Sequence, residues 1–467
     1  MLGTPSFIGL RGQRVAIATQ MATFTAPELV HFPPENSDDE ITNQRQNEDH
    51  RRSEWWRSAC IIAGEIMGTG VLSLPYACSR LGWALGLTSS VAFGCTAIYS
   101  GRLLSHCRNV LYPDATSYAD LALRVGGPGF GKFTRIAIAV GWASILPYYL
   151  VACAASLEAA FPAANLCYWQ WSLIVMLFAA PVLQYRSLHG LSILSLLSTG
   201  AIVIVVTVLC AALISTSPSN TNSTIVVQRS FGLPRDQSFL RLYASFGSFI
   251  FAYQGQSVFL EIMREMRQPE HFTRALYAAN GLMMLVYTMV SAVGYGAYGD
   301  QVAGFLPDTL PSGSAKALVG VLLAFHTMVS YLLTGQPLMR VLHYAIAPST
   351  ADKSTPMATI HWAALTLSSL LAAFFVANLI PFFADLQDIL GNTSGAATVF
   401  GWPAYFFLKG SAKRGRPVSH GDRFMCYFFL LVCLPAFTLL GTTNAILTLV
   451  ADFNANEAPR PFQCKPR

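Results

Sequence analysis

The stretch that decides the fold covers residues 62–75 and reads I-A-G-E-I-M-G-T-G-V-L-S-L-P. It lies inside an apolar segment long enough to cross a bilayer, yet it contains three glycines, an acid and a proline. Each glycine weakens a helix by roughly 1 kcal/mol relative to alanine, and Pro75 removes a backbone donor. Non-helical backbone at membrane depth is tolerated only where it lines protein or water. The stretch therefore predicts a broken membrane helix whose free backbone groups face a cavity and bind a solute.

The composition of the whole chain indicates an all-α polytopic membrane protein. Of its 467 residues, 53% are hydrophobic and 12% are charged, which is about half the charged fraction of soluble domains. Long apolar runs separated by short polar stretches are typical of spanning helices. The net charge of +6 comes from loop residues, so it indicates topology rather than a nucleic-acid partner. The sequence contains no CxxC pair, and we expect no cofactor or metal.

The apolar segments number about eleven. Their predicted ranges are 55–77, 81–104, 133–160, 169–183, 191–214, 239–260, 275–298, 315–345, 358–379, 382–408 and 424–450. A short surface helix is expected at 116–124, and the glycine-rich residues 126–131 are interpreted as a flexible turn. The predicted regions are a disordered cytosolic tail at 1–53, a first five-helix repeat at 54–214, a loop at 215–238, a second repeat at 239–408, an eleventh helix with its preceding loop at 409–450, and a tail at 451–467.

Lysine and arginine residues set the predicted orientation. They are more frequent in the loops that follow even-numbered spans, so the positive-inside rule predicts a cytosolic amino terminus. An odd number of spans then places the carboxyl terminus outside the cytosol. The outer loop would contain Asn222, the acceptor of a glycosylation sequon. Cys167 and Cys464 would both face the non-cytosolic side and could pair. We expect a plasma-membrane protein, with a vacuolar or lysosomal membrane as the alternative.

A second interruption is predicted in the sixth span, where A-Y-Q-G-Q-S at 252–257 places a glycine and two amides at membrane depth. Interrupted first and sixth helices are typical of transporters built from inverted five-helix repeats, which bind their solute at the midplane. Helix amino-terminal ends favour a carboxylate there, and exposed carbonyls can take an ammonium group or an alkali ion. The two breaks together predict a site for a zwitterion such as an amino acid.

Five motifs, taken in order, resemble the amino acid/auxin permease family. They are G-T-G-V-L-S-L-P-Y-A at 68–77, L-G-W at 81–83, F-A-Y-Q-G-Q-S-V-F-L-E-I at 251–262, M-R-Q-P-E-H-F at 266–272 and G-Y-G-A-Y-G-D at 294–300. The resemblance covers nearly everything from Trp55 to Val450. It implies inverted five-helix repeats followed by an eleventh helix, and secondary active import of amino acids, usually with protons and in some branches with sodium.

The predicted substrate site is built around the two breaks. The residues expected to offer backbone amides to the substrate carboxylate are Met67, Gly68, Thr69 and Gly70. The residues expected to supply carbonyls for the amine and walls for the side chain are Phe251, Ala252, Tyr253 and Gly255. Close packing of small residues is the alternative for the first group. By resemblance to similar folds, Tyr148 or Tyr149 approaches the carboxylate, with aromatic packing as the alternative.

Three polar side chains are candidates for the coupling ion. Glu65 is one, because an acid inside the membrane is costly and usually functional; a structural hydrogen bond is the alternative. Many members of the family carry a small or apolar residue there, which leaves the coupling ion open between proton and sodium. Thr327 and Ser330 share a helix face and resemble hydroxyls that meet the first break in sodium-driven relatives of this fold. The neighbouring His326 is interpreted as a packed, hydrogen-bonded histidine.

Charged residues at the ends of two spans are candidates for gating. Glu261 and Arg264 lie at the cytosolic end of the sixth span, where they could join an inner gate of ion pairs. A solvated helix end is the alternative. Asp385 and Asp388 are expected at the outer interface, beside the tenth span, with gating or the attraction of ions as the alternative.

Two hypotheses from different classes follow from these patterns. The first is a secondary amino-acid transporter that works by alternating access, most simply by proton symport, with sodium as the other possibility. The second is a non-transporting amino-acid sensor on the same fold, with the tail at 1–53 as its signalling arm. An enzyme is not expected, because the sequence shows no HExxH or GxSxG motif. The expected partners are an amino acid and the lipid bilayer, and a monomer is compatible with the sequence.

Overall fold

The fold is described by a computed structural model that covers residues 53–184, 191–218, 227–234, 239–351, 353, 355–454 and 462–464. Helices make up nearly all of the regular structure in these ranges, as the apolar segments predict. The predicted sequon at Asn222 and almost all of the predicted tail at 1–53 lie outside the described residues.

The helices follow the predicted spans in order. Their bounds are Trp55–Ile66 and Leu74–His106 for spans 1 and 2, Pro128–Ala160 for span 3, Tyr168–Val182 for span 4, Leu191–Ser215 for span 5, Phe239–Tyr253 and Phe259–Glu265 for span 6, Phe272–Tyr298 for span 7, Ser314–Ile346 for span 8, Pro356–Leu379 for span 9, Phe383–Leu390 to Trp402–Lys413 for span 10, and His420–Phe428 to Thr442–Asn454 for span 11. Spans 10 and 11 each contain π-helical turns. The predicted surface helix is present as Tyr118–Gly126.

Within the described ranges, seven helices are long and apolar enough to cross a membrane by length and composition. The number is smaller than that of the predicted spans for local reasons. Spans 1 and 2 are joined at Gly82, whose φ of 77° makes the turn between them, a backbone conformation that glycine adopts without strain. Span 4 has only 15 residues, and span 6 is broken.

The packing places the two broken helices in the middle of the molecule. Span 8 packs along spans 3 and 5, and span 7 packs along spans 1 and 2. Span 6 contacts spans 2, 10 and 11. The large buried side chains between them include Ile62, Phe249 and Tyr287. Apolar side chains on the outside of the bundle, such as Phe178 and Phe424, are exposed, which suits a surface that faces lipid.

The structure refines two predictions about segments outside the apolar runs. Asp385 and Asp388, expected at the outer interface, are buried within the helix Phe383–Leu390, with 3% and 2% of their surface exposed, and Arg80 of span 1 lies beside them. Residues 126–131 are not a turn throughout. The helix of span 3 begins at Pro128, since proline is well suited to a first helical turn. Only Gly127, with a φ of 87°, makes the bend.

The question left open for Cys167 and Cys464 is answered by a disulfide bond between them. The bond attaches residues 462–464 to the residue that precedes span 4. Both cysteines therefore lie on the same side of the bundle, as the predicted topology requires.

Candidate functional site

Span 1 loses its helical geometry at Met67 and Gly68. The last helical bond at this point runs from the Met67 N–H to the Ala63 carbonyl at 2.8 Å. Gly68 then adopts φ −126° and ψ −146°, and the chain continues as the 3₁₀ turn Thr69–Ser73. Carbonyls at the end of one helix and N–H groups at the start of the next element lack partners within those elements. This break is therefore a polar backbone surface at membrane depth, as predicted.

Span 6 breaks between Tyr253 and Gln256, also as predicted. The side chain of Gln256 satisfies part of the break: its Oε1 accepts from the Gly255 N–H at 2.9 Å. Its Nε2 donates to the Tyr253 carbonyl at 3.4 Å. Gln256 thus holds the broken backbone in shape, whereas Gln254 is half-buried and faces the space between the breaks.

The two breaks touch each other. A Cβ at Gly70 would lie 3.1 Å from the Ala252 Cα and 3.4 Å from the Phe251 Cδ1, and a Cβ at Gly255 would meet the Ile66 side chain. Both positions leave little room for a Cβ: at Gly70 the backbone of span 6 would have to yield by a few tenths of an ångström, and at Gly255 the Ile66 side chain would have to move. The backbones of spans 1 and 6 are consequently held against each other at the midplane.

Two side chains from distant spans bind the broken backbones. Tyr287 in span 7 donates its hydroxyl towards the Ala252 carbonyl at 3.1 Å and the Ile66 carbonyl at 3.4 Å. Gln387 in span 10 donates from Nε2 to the Gly70 carbonyl at 2.9 Å, and its Oε1 accepts from the Tyr148 hydroxyl at 2.9 Å. These contacts fix the geometry of both breaks from the surrounding scaffold.

A cavity of about 270 Å³ lies between the breaks, and we call it the central cavity. Its volume is close to the lower end of ligand pockets, which is about 300 Å³, and this size suits a small solute. The predicted site residues that line it are Glu65, Gly68, Thr69, Gly70, Phe251, Gly255, Glu261, Arg264 and Ser330. The cavity extends to Thr116 and Ser117, on the side that the sequence predicts to be cytosolic.

Other predicted site residues are packed behind the cavity wall. These are Met67, Tyr148, Ala252, Tyr253 and Thr327. Tyr148 is fully buried, and Tyr149 lines the cavity in its place. The Thr327 hydroxyl donates to the Leu323 carbonyl in its own helix at 2.9 Å. Of these two hydroxyl residues, only Ser330 lines the central cavity.

The two charged residues of the predicted inner gate lie in the wall of the central cavity. Glu261 and Arg264 both line it, together with Thr116 and Ser117. Glu261 approaches the backbone of Tyr118, at the start of the helix Tyr118–Gly126. Glu65 projects into the cavity and is exposed to it, so its carboxylate faces open space rather than lipid.

The comparisons with known proteins decide the family. A family model described as "Transmembrane amino acid transporter protein" matches residues 51–447. The chain belongs to this amino acid transporter family. It is similar to amino acid transporter AVT1B of Arabidopsis thaliana, with 28% identity over 404 residues that cover 83% of this chain and 70% of the relative. It is also similar to the vesicular GABA transporter of Caenorhabditis elegans, with 26% identity covering 75% and 72%.

A solved structure supports the fold of this transporter family member. The inward-facing conformation of Mhp1 matches with a TM-score of 0.56 and 11% identity, covering 87% of this chain and 91% of that chain. The match confirms the predicted fold class. The predicted resemblance to amino acid/auxin permeases is confirmed by the family model.

In this amino acid transporter, the histidine interpreted as a packed residue contributes to the cavity wall. His326 is 4% exposed, and its Nδ1 lies 2.8 Å from the Ser198 hydroxyl and 3.1 Å from the Ser198 carbonyl. A carbonyl accepts only, so this geometry favours a proton on Nδ1. Nε2 has no hydrogen-bond partner among the described residues. A Cβ on Gly68 would lie 3.5 Å from it, so a bare acceptor points at the first break.

A second cavity lies on the opposite side of the transporter, and we call it the rim cavity. It is larger, about 820 Å³. Its wall includes both cysteines of the disulfide and the acids Glu158, Asp308, Asp385 and Asp452. An aromatic layer separates the two cavities: the ring of Tyr148 lies 4.8 Å from that of Phe251 and 4.9 Å from that of Phe383. Phe251 lines the central cavity and Phe383 lines the rim cavity.

Proposed function

We propose that this chain is a secondary active transporter that moves amino acids across a membrane by alternating access, coupled to protons. The observation that carries the proposal is the meeting of two helix breaks at one small central cavity, where Gly70 packs on Ala252. Paired breaks at the midplane are the plan on which such transporters bind their solutes. Membership of the amino acid transporter family supports an amino acid as the solute.

The two breaks offer complementary chemistry to a zwitterion. The N–H groups that begin the turn Thr69–Ser73 carry a partial positive charge and suit the substrate carboxylate. The Nε2 of His326 is buried and has no hydrogen-bond partner among the described residues, across from Gly68. It can accept a hydrogen bond from the substrate ammonium group once movement of the first break exposes it. Tyr149 and Phe251 supply the aromatic wall against which a side chain would pack.

Alternating access is supported by a difference between the two sides of the central cavity, one of which is open and the other closed. The central cavity reaches the predicted cytosolic side, whereas the layer of Tyr148, Phe251 and Phe383 closes it from the rim cavity. Both broken helices are held by a few side-chain hydrogen bonds from the scaffold, such as those from Tyr287 and Gln387. Rocking of spans 1 and 6 would open the aromatic layer and close the other side.

Proton coupling is supported by what faces the central cavity. Glu65 and Glu261 can exchange a proton with water there. Thr327, one of the two hydroxyls expected to bind sodium, is turned into its own helix. We therefore propose Glu65 as the proton carrier of the central cavity, one turn before the break.

The test is transport by the purified protein in sealed lipid vesicles. With an equimolar mixture of radiolabelled L-amino acids outside, we expect accumulation when a proton gradient points inward and none after a protonophore is added. A pH difference of about one unit supports roughly tenfold accumulation for a one-to-one symporter, since tenfold in concentration is worth about 1.4 kcal/mol. Binding of an amino acid without any uptake would favour a sensor instead.

The disulfide supports a proposal about the orientation of the protein. We propose that the Cys167–Cys464 bond lies on the non-cytosolic side, because disulfides persist in oxidising compartments. A plasma-membrane protein would then react with an impermeant reagent at this side in intact cells. A vacuolar or lysosomal protein would be protected until the cell is opened.

A further inference from the structure

One buried ion cluster is not used by the proposed substrate site. Arg80, at the end of span 1, lies 3.7 Å from an oxygen of Asp388, 3.9 Å from Asp385 and 4.0 Å from Asp452. The two acids of span 10 are at most 5% exposed in their side chains, and Asp452 of span 11 is 20% exposed. Three carboxylates around one guanidinium leave an excess of negative charge in a poorly solvated place, which is costly.

Two of these carboxylates, those of Asp385 and Asp452, approach the same Arg80 nitrogen, Nη2, at 3.9 and 4.0 Å. Ionised carboxylates only accept, so a hydrogen bond between two of them requires a proton on one. Asp385 Oδ1 is buried and has no hydrogen-bond partner among the groups that the structure describes. An oxygen without a donor beside a second carboxylate is the arrangement in which acids share a proton.

We propose that Asp385 and Asp452 bind one proton between them when the transporter is closed on the side of the rim cavity. The proton comes from that cavity, since both acids line it. It forms an O–H bond to one carboxylate and a hydrogen bond to the other, and it leaves to water when the two separate. This inference rests on the proposed alternating access. In that cycle, binding of the shared proton is the step that keeps the side of the rim cavity closed.

The closed arrangement connects the shared proton to the substrate site. The Ser248 hydroxyl of span 6 donates to Asp388 Oδ1 at 2.5 Å. The Ser73 hydroxyl of span 1 donates to the Ser248 hydroxyl at 3.3 Å. The preceding residue in span 10, Gln387, donates to the Gly70 carbonyl. Movement of span 1 that displaces Arg80 would therefore disturb both the acid cluster and the first break.

The other groups around the cluster do not supply the missing proton donor. The ring of Tyr76 lies under the Arg80 guanidinium, 4.5 Å away. In the wall of the rim cavity, Asp308 is paired with Lys316 at 3.8 Å, and Glu158 belongs to the same wall. Span 11 is held in place next to Asp452 by the contact between Phe453 and Phe382, with ring centres 4.9 Å apart.

The experiment measures closure without substrate or gradient, so its failure is distinct from failure of the transport proposal. A cysteine replaces Ile145, which lines the central cavity below the aromatic layer. An impermeant maleimide is added on the rim side of oriented vesicles, and labelling above the background of the parent protein reports opening of that side. Because only the thiolate reacts with maleimide, each labelling rate is divided by that of free glutathione at the same pH, and this ratio is taken as the labelling. We expect it to fall by up to about tenfold per unit of decreasing pH, the limit for one controlling proton.

Variants of the shared pair give opposite expectations. In Asp452→Asn the amide donates permanently to Asp385, so labelling should be low and independent of pH. In Asp452→Ala, labelling should be high and independent of pH. If Asp452→Asn folds poorly, Asp385→Asn takes its place and should give the same low labelling, independent of pH. The control Asp308→Asn, in the same cavity wall, should keep the parent's pH dependence. Unchanged pH dependence in the Asp452 and Asp385 variants would overturn the proposal.

Discussion

The hydroxyl of Tyr287 donates to the carbonyl oxygen of Ala252 at 3.1 Å, and this bond holds the broken part of span 6 to span 7. The same hydroxyl lies 3.4 Å from the Ile66 carbonyl at the first break. A single side chain outside the breaks thus contacts both of them. Its ring packs on Tyr253, with ring centres 5.0 Å apart, so the hydroxyl can be removed while the packing is kept.

We expect Tyr287→Phe to weaken transport about three- to tenfold, because one net hydrogen bond is worth about 0.5–1.5 kcal/mol. Initial uptake rates in vesicles measure this, at equal amounts of reconstituted protein. The matched control is Tyr277→Phe, since Tyr277 lies in the same helix with 49% of its surface exposed. Equal rates for both variants would show that the bond to the breaks has no role.

We expect Gly70→Ala to reduce transport by tenfold or more, because overpacking costs about 1–3 kcal/mol and the atom that must yield is the Ala252 Cα. A backbone atom cannot rotate away, so spans 1 and 6 must separate. Gly200→Ala is the control, since a Cβ there meets nothing within 4 Å. A Gly70→Ala variant with parent uptake would contradict the close contact between the breaks.

We expect His326→Leu to raise the KM for the transported amino acid by roughly tenfold or more, since a hydrogen bond to a charged group is worth about 1.5–3 kcal/mol. The lost group is the bare Nε2 that faces the first break. The control His343→Gln lies in the same helix, where its ring contacts Thr350 at 3.0 Å outside the central cavity. A change in maximal rate with an unchanged KM would argue against substrate contact.

We expect Glu65→Gln to abolish accumulation driven by a proton gradient while exchange of amino acid across the vesicle membrane continues. The amide keeps the shape of the side chain but carries no exchangeable charge. Glu54→Gln is the control. The Glu54 side chain is 44% exposed and pairs with Arg267 at the start of span 1, away from the break. If Glu65→Gln still accumulates substrate under the gradient, another group carries the proton.

The breaks could be predicted from the sequence because their causes are local. Glycine and proline within an apolar run disrupt a helix wherever they occur, so the breaks near Gly68 and Gly255 can be predicted from the sequence. The contacts that shape the site join residues far apart in the chain: Tyr287 meets Ile66 across 221 positions, and Gln387 meets Gly70 across 317. No single-sequence pattern carries that pairing.

The two buried acids of span 10 show the same limit. Asp385 and Asp388 follow a proline at the edge of an apolar segment, which is typical of an interface. Only the fold brings Arg80 and Ser248 next to them and makes their burial tolerable. The sequence predicts a packed, hydrogen-bonded His326, and its contact with Ser198 exists. The direction of its Nε2 could not be predicted, because it depends on where span 1 breaks.

The central claim is that both breaks form one amino-acid site, and protection from labelling tests it most directly. Ser257, half-buried beside the second break, lines the central cavity. The labelling rate of Ser257→Cys is measured with and without each L-amino acid, using the native, exposed Cys60 as the internal control. We predict that the transported amino acids slow labelling at position 257 and leave Cys60 unaffected. Equal labelling at position 257 with every amino acid that the protein accumulates would contradict the claim.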